Sequence, residues 1–100
     1  MTPTTTQSSY IDILRRFKQE YGAEYGIKQI GFFGSVARGD QTDESDIDVI
    51  LESPSASVYT LIGIKQKLEK IFNKPVDVVG KTEFTPKIFL TRVEKEVIYV

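Results

Sequence analysis

Residues 34–51 of this 100-residue chain read GSVARGDQTDESDIDVIL. They place a glycine-serine turn, an arginine-glycine pair and an Asp-Ile-Asp segment close together, directly after the apolar residues 27–33. A domain of this size has a narrow stability margin, and crowded polar groups that add nothing to the core reduce it. We predict one short strand before the stretch, at residues 27–33, and another at its end, at residues 46–51, with a polar connection between them. The crowded polar residues of that connection call for a functional explanation.

The sequence predicts three longer helices. Apolar residues recur at helical spacing after Ser8 or Ser9, either of which fits an N-cap, and again over residues 57–72. Pro86 fits the first turn of a third helix that ends near Val93. Short apolar runs typical of strands lie between these helices, at residues 27–33, 46–51, 75–80 and 97–100. Strands and helices interleave, so we predict an α/β or α+β domain with about four strands.

The composition excludes several classes of function. Thirteen Lys and Arg residues against fourteen Asp and Glu residues give a net charge of −1. Such a chain lacks the positive field of a general nucleic-acid or membrane binder, so we expect no direct nucleic-acid partner. There is no cysteine and no histidine, which excludes disulfides, thiolate metal sites and the usual neutral-pH base. Catalysis would have to use carboxylates, hydroxyls, lysines or hard metals.

The first seven residues, MTPTTTQ, are polar and uncharged. They offer nothing to bury, so we predict a disordered arm over residues 1–7 and one domain over residues 8–100. The arm has neither the basic nor the apolar part of a secretory signal, and no apolar run is long enough to cross a bilayer. We therefore expect a cytoplasmic protein without a membrane partner.

Gly34 and Ser35 stand where the first strand is predicted to end and a short helical turn to begin. We expect the backbone N–H groups at such a turn to be unpaired, so that together with a serine hydroxyl they suit phosphate oxygens. Arg38 would add a forked cation or brace the loop by pairing with a carboxylate, and Gly39 would allow a tight bend. The alternative interpretation is that both pairs merely shape a strand-to-helix loop.

Three aspartates complete the group of candidate site residues. Asp46 and Asp48 are two apart on a predicted strand, so they share one face at about 7 Å and could bind a hard cation. By the same alternation, Ile47, Val49 and Leu51 would point the other way, into the core. The alternative is a solvated strand start capped by Ser45. Asp77 interrupts a run of valines, where a buried charge needs a partner. That partner is a shared magnesium ion if the two strands are neighbours, or else Arg38, Lys74 or Arg92.

The pattern resembles a known family signature. Gly34-Ser35, Arg38-Gly39, five residues, Ser45-Asp46 and Asp48 follow the arrangement GSxxRGx5SDxD of the minimal nucleotidyltransferases, a branch of the DNA polymerase β-like superfamily. The order of predicted elements and the closing segment IFLTRVEKEVIYV are also similar to the family. The resemblance covers essentially the whole chain after residue 7.

The resemblance implies a mixed-sheet nucleotidyltransferase core with helices flanking the sheet. It implies that Asp46, Asp48 and Asp77 are the catalytic carboxylates and bind one or two Mg²⁺ ions. Residues Gly34, Ser35, Arg38, Gly39 and Ser45 would then bind the nucleotide, ATP. In the family, an acceptor hydroxyl attacks the α-phosphate and pyrophosphate leaves, which makes Asp77 the candidate general base.

Minimal members of the family also serve as antitoxins in two-gene modules whose toxin is a HEPN-domain ribonuclease. There they typically add AMP to a tyrosine of the toxin, so the resemblance implies a HEPN-domain partner. The alternative is an antitoxin that neutralises by binding alone, against which the intact set of three carboxylates argues. A small-molecule acceptor such as an aminoglycoside is a third possibility, disfavoured because the extra helical domain of larger relatives is missing.

Overall fold

The structure is a computed structural model, and it describes residues 6–100. Helices and strands alternate strictly along these residues. The elements are α1 (Gln7–Tyr25), β1 (Gln29–Phe33), α2 (Gly34–Arg38), β2 (Ile47–Glu52), α3 (Val58–Phe72), β3 (Val76–Gly80), α4 (Lys87–Glu94) and β4 (Ile98–Tyr99). Each predicted helix and strand is present, with bounds that differ by a few residues at most.

The strands form one mixed sheet in the order β3-β2-β1-β4. β1 pairs antiparallel with both β2 and β4, whereas β2 and β3 run parallel. Parallel neighbours need a crossover connection, and α3 provides it between β2 and β3. The predicted fold class, a mixed sheet of about four strands flanked by helices, is confirmed.

Strand alternation divides the sheet into two faces. Ile47, Val49 and Leu51 of β2 are buried in the main core against α1 and α3, as the sequence pattern predicted. Asp48 lies between them on the opposite face, in register with Phe33 of β1. On that second face Phe89 of α4 packs edge-on against Phe33, with ring centroids 5.8 Å apart. The face that carries Asp48 is thus only partly covered, by α4.

The N-terminal boundary differs from the prediction. The cap of α1 is Thr6, whose side chain accepts from the Ser9 backbone N–H, and not Ser8 or Ser9. Gln7 is helical and donates from Nε2 to two carbonyl oxygens of α2, at 2.9 and 3.1 Å. Thr6 and Gln7 therefore belong to the folded domain, and the rest of the predicted arm, residues 1–5, lies outside the described residues.

The buried face of α3 matches only part of the apolar periodicity in the sequence. Val58, Ile62 and Ile71 fit helical spacing but are 69%, 45% and 43% exposed. The buried residues follow a spacing of four, at Ile64, Leu68 and Phe72. Periodicity correctly predicted the helix, whereas the choice of its buried face depended on how it packs on the sheet. Within residues 6–100, no helix combines the length and the apolar character needed to span a membrane.

Candidate active site

Asp48 and Asp77 meet because β2 and β3 pair in parallel. Asp48 lies directly in register with Asp77, and neighbouring strands are about 4.8 Å apart. Register partners project to the same face of a sheet, so the two side chains are neighbours. The expectation that these two strands lie side by side is confirmed.

The electrostatic environment of Asp48 is unfavourable to its charge. Burial raises the pKa of the Asp48 carboxyl, and the negative charges of Asp77 and then Asp46 raise it further, whereas Arg38 lowers it. Such a carboxyl gains stability from any cation placed beside it. The group of carboxylates therefore favours a cation at this face of the sheet.

Asp77 is exposed, so the interpretation of a buried charge between valines was wrong. β3 is an edge strand, and the face that carries Asp77 is open to solvent. Within residues 6–100, Asp77 forms no ion pair with any of the cations considered as alternative partners. Its close neighbour is Asp48, which leaves the side chain accessible to a molecule arriving from outside.

Asp46 is exposed and directly precedes β2. Its charge acts on Asp48, but less strongly than the charge of Asp77 does. Among residues 6–100, no three acidic side chains are arranged closely enough to hold a metal ion by themselves. The structure therefore brings Asp48 and Asp77 together, and Asp46 does not complete a three-carboxylate metal group with them among the described residues.

Gly34 brings the glycine-serine turn next to the aspartates of the sequence pattern. Its φ of +69° lies in the left-handed region, and a Cβ added to it would lie 2.3 Å from Oδ2 of Asp48. Any side chain would thus be strained by the backbone and would collide with the carboxylate. Glycine at this position allows the turn to approach Asp48, so the candidate phosphate turn and the carboxylates form one site.

The predicted helical turn after Gly34 is α2, which carries the partly buried Ser35 in its first turn. Gly39 ends α2 in the left-handed region at φ +79°, and its N–H donates to a carbonyl of α2. Gly39 therefore allows the tight bend that the sequence predicted.

Arg38 braces the loop. Its Nε donates to Asp40 at 3.1 Å and its Nη1 to Glu96 at 3.2 Å. The other carboxylate oxygen of Glu96 accepts from the Gly34 backbone N–H at 3.0 Å. The expectation that the backbone N–H groups of this turn are unpaired is therefore wrong for Gly34.

Glu96 was not found by sequence reasoning. It lies 62 positions from Gly34, just before the last strand, and no local pattern marks it. To find it, one would have to know that the last strand pairs with β1. Because β1 leads directly into α2, that pairing places the residues before β4 close to Gly34.

Ser45 shapes the loop before Asp46. Its hydroxyl accepts from the Thr42 backbone N–H at 2.9 Å, and Lys74 donates to the Thr42 carbonyl at 2.8 Å. The hydroxyl thus has a structural partner, and nucleotide binding by Ser45 stays a prediction.

Comparison with known proteins places the chain in a family. The sequence profile of the nucleotidyltransferase domain matches residues 11–100. This chain belongs to the nucleotidyltransferase family. The chain is 38% identical to a provisionally named protein adenylyltransferase of Methanocaldococcus jannaschii, over 95% of this chain and 98% of that protein. It is 34% identical to the protein adenylyltransferase MntA of Thermococcus cleftensis, over 88% of this chain and 89% of that protein.

Solved structures agree with this assignment. A protein provisionally described as a minimal nucleotidyltransferase superposes with a TM-score of 0.73 at 26% identity, over 89% of this chain and 91% of that one. A chain of a toxin-antitoxin crystallised with AMP-PNP superposes with a TM-score of 0.68 over 93% of this chain and 70% of that one. At 21% identity, this second likeness concerns the fold alone. The resemblance to minimal nucleotidyltransferases is confirmed.

Proposed function

We propose that this nucleotidyltransferase is an antitoxin that transfers AMP from ATP, in a Mg²⁺-dependent reaction, to a tyrosine of a HEPN-domain ribonuclease toxin. The observation that carries the proposal is the Asp48–Asp77 pair, held in register directly beside Gly34. The relatives named as protein adenylyltransferases, at 34% and 38% identity over most of the chain, support a protein as acceptor.

The donor set fits Mg²⁺ shared with a nucleotide. Mg²⁺ in proteins is usually bound by one or two carboxylates, and waters and substrate phosphates complete its octahedron. Asp48 and Asp77 supply two carboxylates whose charges oppose each other, and the charge of Asp46 also acts on Asp48. When bound, the ion would offset phosphate charge and lower the pKa of the acceptor hydroxyl.

The proposed reaction is an in-line displacement at the α-phosphorus of ATP. The tyrosine oxygen forms the new bond to phosphorus, the bond to the bridging oxygen of the β-phosphate breaks, and pyrophosphate leaves. Asp77 accepts the hydroxyl proton, a role that its exposure to an incoming protein supports. Gly34, whose own N–H is bound by Glu96, leaves room for the phosphates beside the turn, and Ser35 holds them in line with that hydroxyl.

The test combines this chain with ATP labelled on the α-phosphate, Mg²⁺ and the protein encoded beside it, which the proposal expects to be the HEPN-domain toxin. We expect label on the partner and loss of its ribonuclease activity. Asp48→Asn and Asp77→Asn keep the side-chain shape but remove the charge, and each should lower the rate by 10²-fold or more, on the order of a lost general base. Asp43→Asn, in the exposed loop before Asp46, is the matched control and should retain the wild-type rate.

The result also separates the enzyme from an antitoxin that acts by binding alone. If Asp48→Asn neutralises the ribonuclease fully without any label, contact is sufficient and the proposed transfer is not the mechanism. A partner whose tyrosines are replaced by phenylalanine should take up no label, which checks the acceptor.

A further inference from the structure

Glu96 lies outside the residues of the sequence signature, yet its carboxylate is bonded to two of them. One oxygen accepts from the Gly34 backbone N–H at 3.0 Å, and the other accepts from Nη1 of Arg38 at 3.2 Å. The side chain is 29% exposed. A single carboxylate thus joins the first and the last residue of α2.

The fold fixes the position of Glu96. Its backbone N–H donates to the Val93 carbonyl at 3.0 Å, at the end of α4. Immediately afterwards β4 pairs with β1, with Tyr99 opposite Gly31. The carboxylate is therefore held between a helix end and a strand pairing, and it does not depend on a long unsupported loop.

The Gly34 turn is consequently held from two sides. Asp48 packs against the position where a Cβ would stand, and Glu96 binds the N–H of the same residue. Arg38 is held as well, because its guanidinium is already paired with both Asp40 and Glu96. A guanidinium with two carboxylate partners is better placed to brace the turn than to bind a phosphate.

We infer that Glu96 is a positioning residue for nucleotide binding: together with Arg38 it fixes the Gly34–Ser35 turn against Asp48 before the triphosphate arrives. The inference rests on the proposed assignment of the Gly34–Ser35 turn to the phosphates. A turn ordered in advance loses little conformational freedom when the nucleotide binds, so its affinity for phosphates is higher. Glu96 acts through the turn and does not touch the nucleotide.

The test measures binding of ATP with Mg²⁺ to the full chain by calorimetry. Glu96→Ala should weaken binding roughly tenfold, the scale of one charge-assisted hydrogen bond. Glu96→Gln keeps an acceptor for the Gly34 N–H and should weaken binding only about threefold. Glu94→Ala is the matched control, since Glu94 is an acidic residue two positions before Glu96 that pairs with Lys81 at 3.8 Å instead of with the turn, and it should bind ATP like the wild type.

Two further measurements separate positioning from a general effect on folding. Adenosine has no phosphates, so its affinity should be the same for the wild type and both Glu96 variants. Arg38→Ala combined with Glu96→Ala should bind ATP no more weakly than the weaker single variant, because both residues belong to one clamp. Glu96→Gln serves the same comparison if Glu96→Ala does not fold.

Three results would overturn the inference while the proposed function stands. Glu96→Ala could match Glu94→Ala, which would leave Glu96 without a role in binding. It could bind ATP more tightly, which would make Glu96 a competitor of the phosphates. The losses of Glu96→Ala and Arg38→Ala could add, which would give Arg38 its own phosphate contact. Absence of ATP binding by the wild type would instead refute the proposed function and the inference together.

Discussion

Asp77→Asn should make the metal-free protein more stable, although it should abolish the proposed catalysis. The side chain is exposed and lies in register with Asp48 on the neighbouring strand. Its negative charge helps to raise the pKa of the Asp48 carboxyl, which means that the two charges repel each other in the folded state. The amide of asparagine keeps the shape, removes the repulsion and can donate a hydrogen bond to Asp48.

The magnitude follows from the strand spacing. Two unit charges about 5 Å apart repel each other by roughly 0.8 kcal/mol at the permittivity of water and by about 3 kcal/mol at an effective permittivity of 20. Because Asp77 is exposed, the lower part of this range applies, and we expect a gain of about 1 kcal/mol in the free energy of unfolding. For a domain of this size, that corresponds to a rise of about 5 °C in Tm.

The assay is thermal and urea unfolding at neutral pH, in EDTA and at low ionic strength, where surface charges are least screened. Asp43→Asn is the control, because it removes the same charge from the exposed loop and should change stability by less than about 0.5 kcal/mol. Added Mg²⁺ should stabilise the wild type more than Asp77→Asn, since a ligand stabilises the state that binds it.

The pH dependence gives a second check. A raised pKa means that Asp48 binds its proton more readily in the folded protein, so the wild type loses stability as pH rises through the titration of this group. The advantage of Asp77→Asn should therefore shrink in acid. The reasoning is refuted if Asp77→Asn is no more stable than Asp43→Asn in EDTA at neutral pH.

Three other substitutions test separate contacts. Gly34→Ala forces a left-handed backbone and places a Cβ 2.3 Å from Asp48, so it should cost at least about 1–2 kcal/mol in urea unfolding and abolish nucleotidyl transfer. Gln7→Ala removes two hydrogen bonds to carbonyls of α2 and should lower Tm by roughly 5 °C. The bonds from Lys65 and from a backbone N–H of β3 lower the pKa of Glu69 below its ordinary 4.5. Its stabilising effect is complete above pH 4.5 and is lost below it, so Glu69→Gln should be less stable than the wild type at neutral pH and equal to it in acid.

Each of these has a control. Gly63→Ala, where an added Cβ meets nothing within 4 Å beyond its chain neighbours and the backbone of its own helix, should be neutral or stabilising, and an equal loss in both glycine variants would contradict the argument for Gly34. Ser8→Ala, next to Gln7 but exposed, should leave Tm within about 2 °C. Glu20→Gln, on an exposed part of α1, should show no acid-dependent difference, and a Glu69→Gln penalty that persists in acid would exclude the ionic explanation.

Local patterns were sufficient to predict most of the elements. Alternation along residues 46–51 correctly placed Ile47, Val49 and Leu51 in the core and Asp48 on the other face. Ser57 caps α3 by accepting from the Thr60 backbone N–H, a contact between residues three positions apart. These features depend on residues within a few positions of each other, so the sequence shows them directly.

Predictions of a side chain's environment from its neighbours in sequence were wrong for two residues. Asp77 between two valines looked buried, but an edge strand exposes one face. Gln7 looked like part of a polar arm, but its amide finds carbonyl partners 29 and 30 positions away. In both cases a distant segment of the chain decided the environment of the side chain.

The sequence by itself determined the family, the alternating order of helices and strands, and the glycine, serine, arginine and aspartate residues of the candidate site. Only the tertiary structure decided that Asp77 stands in register with Asp48, that Arg38 braces the loop, and that Glu96 binds the Gly34 N–H. Periodicity and capping are set by neighbours along the chain. Strand register and contacts across 62 positions are set by how the packed elements meet, and no local pattern records them.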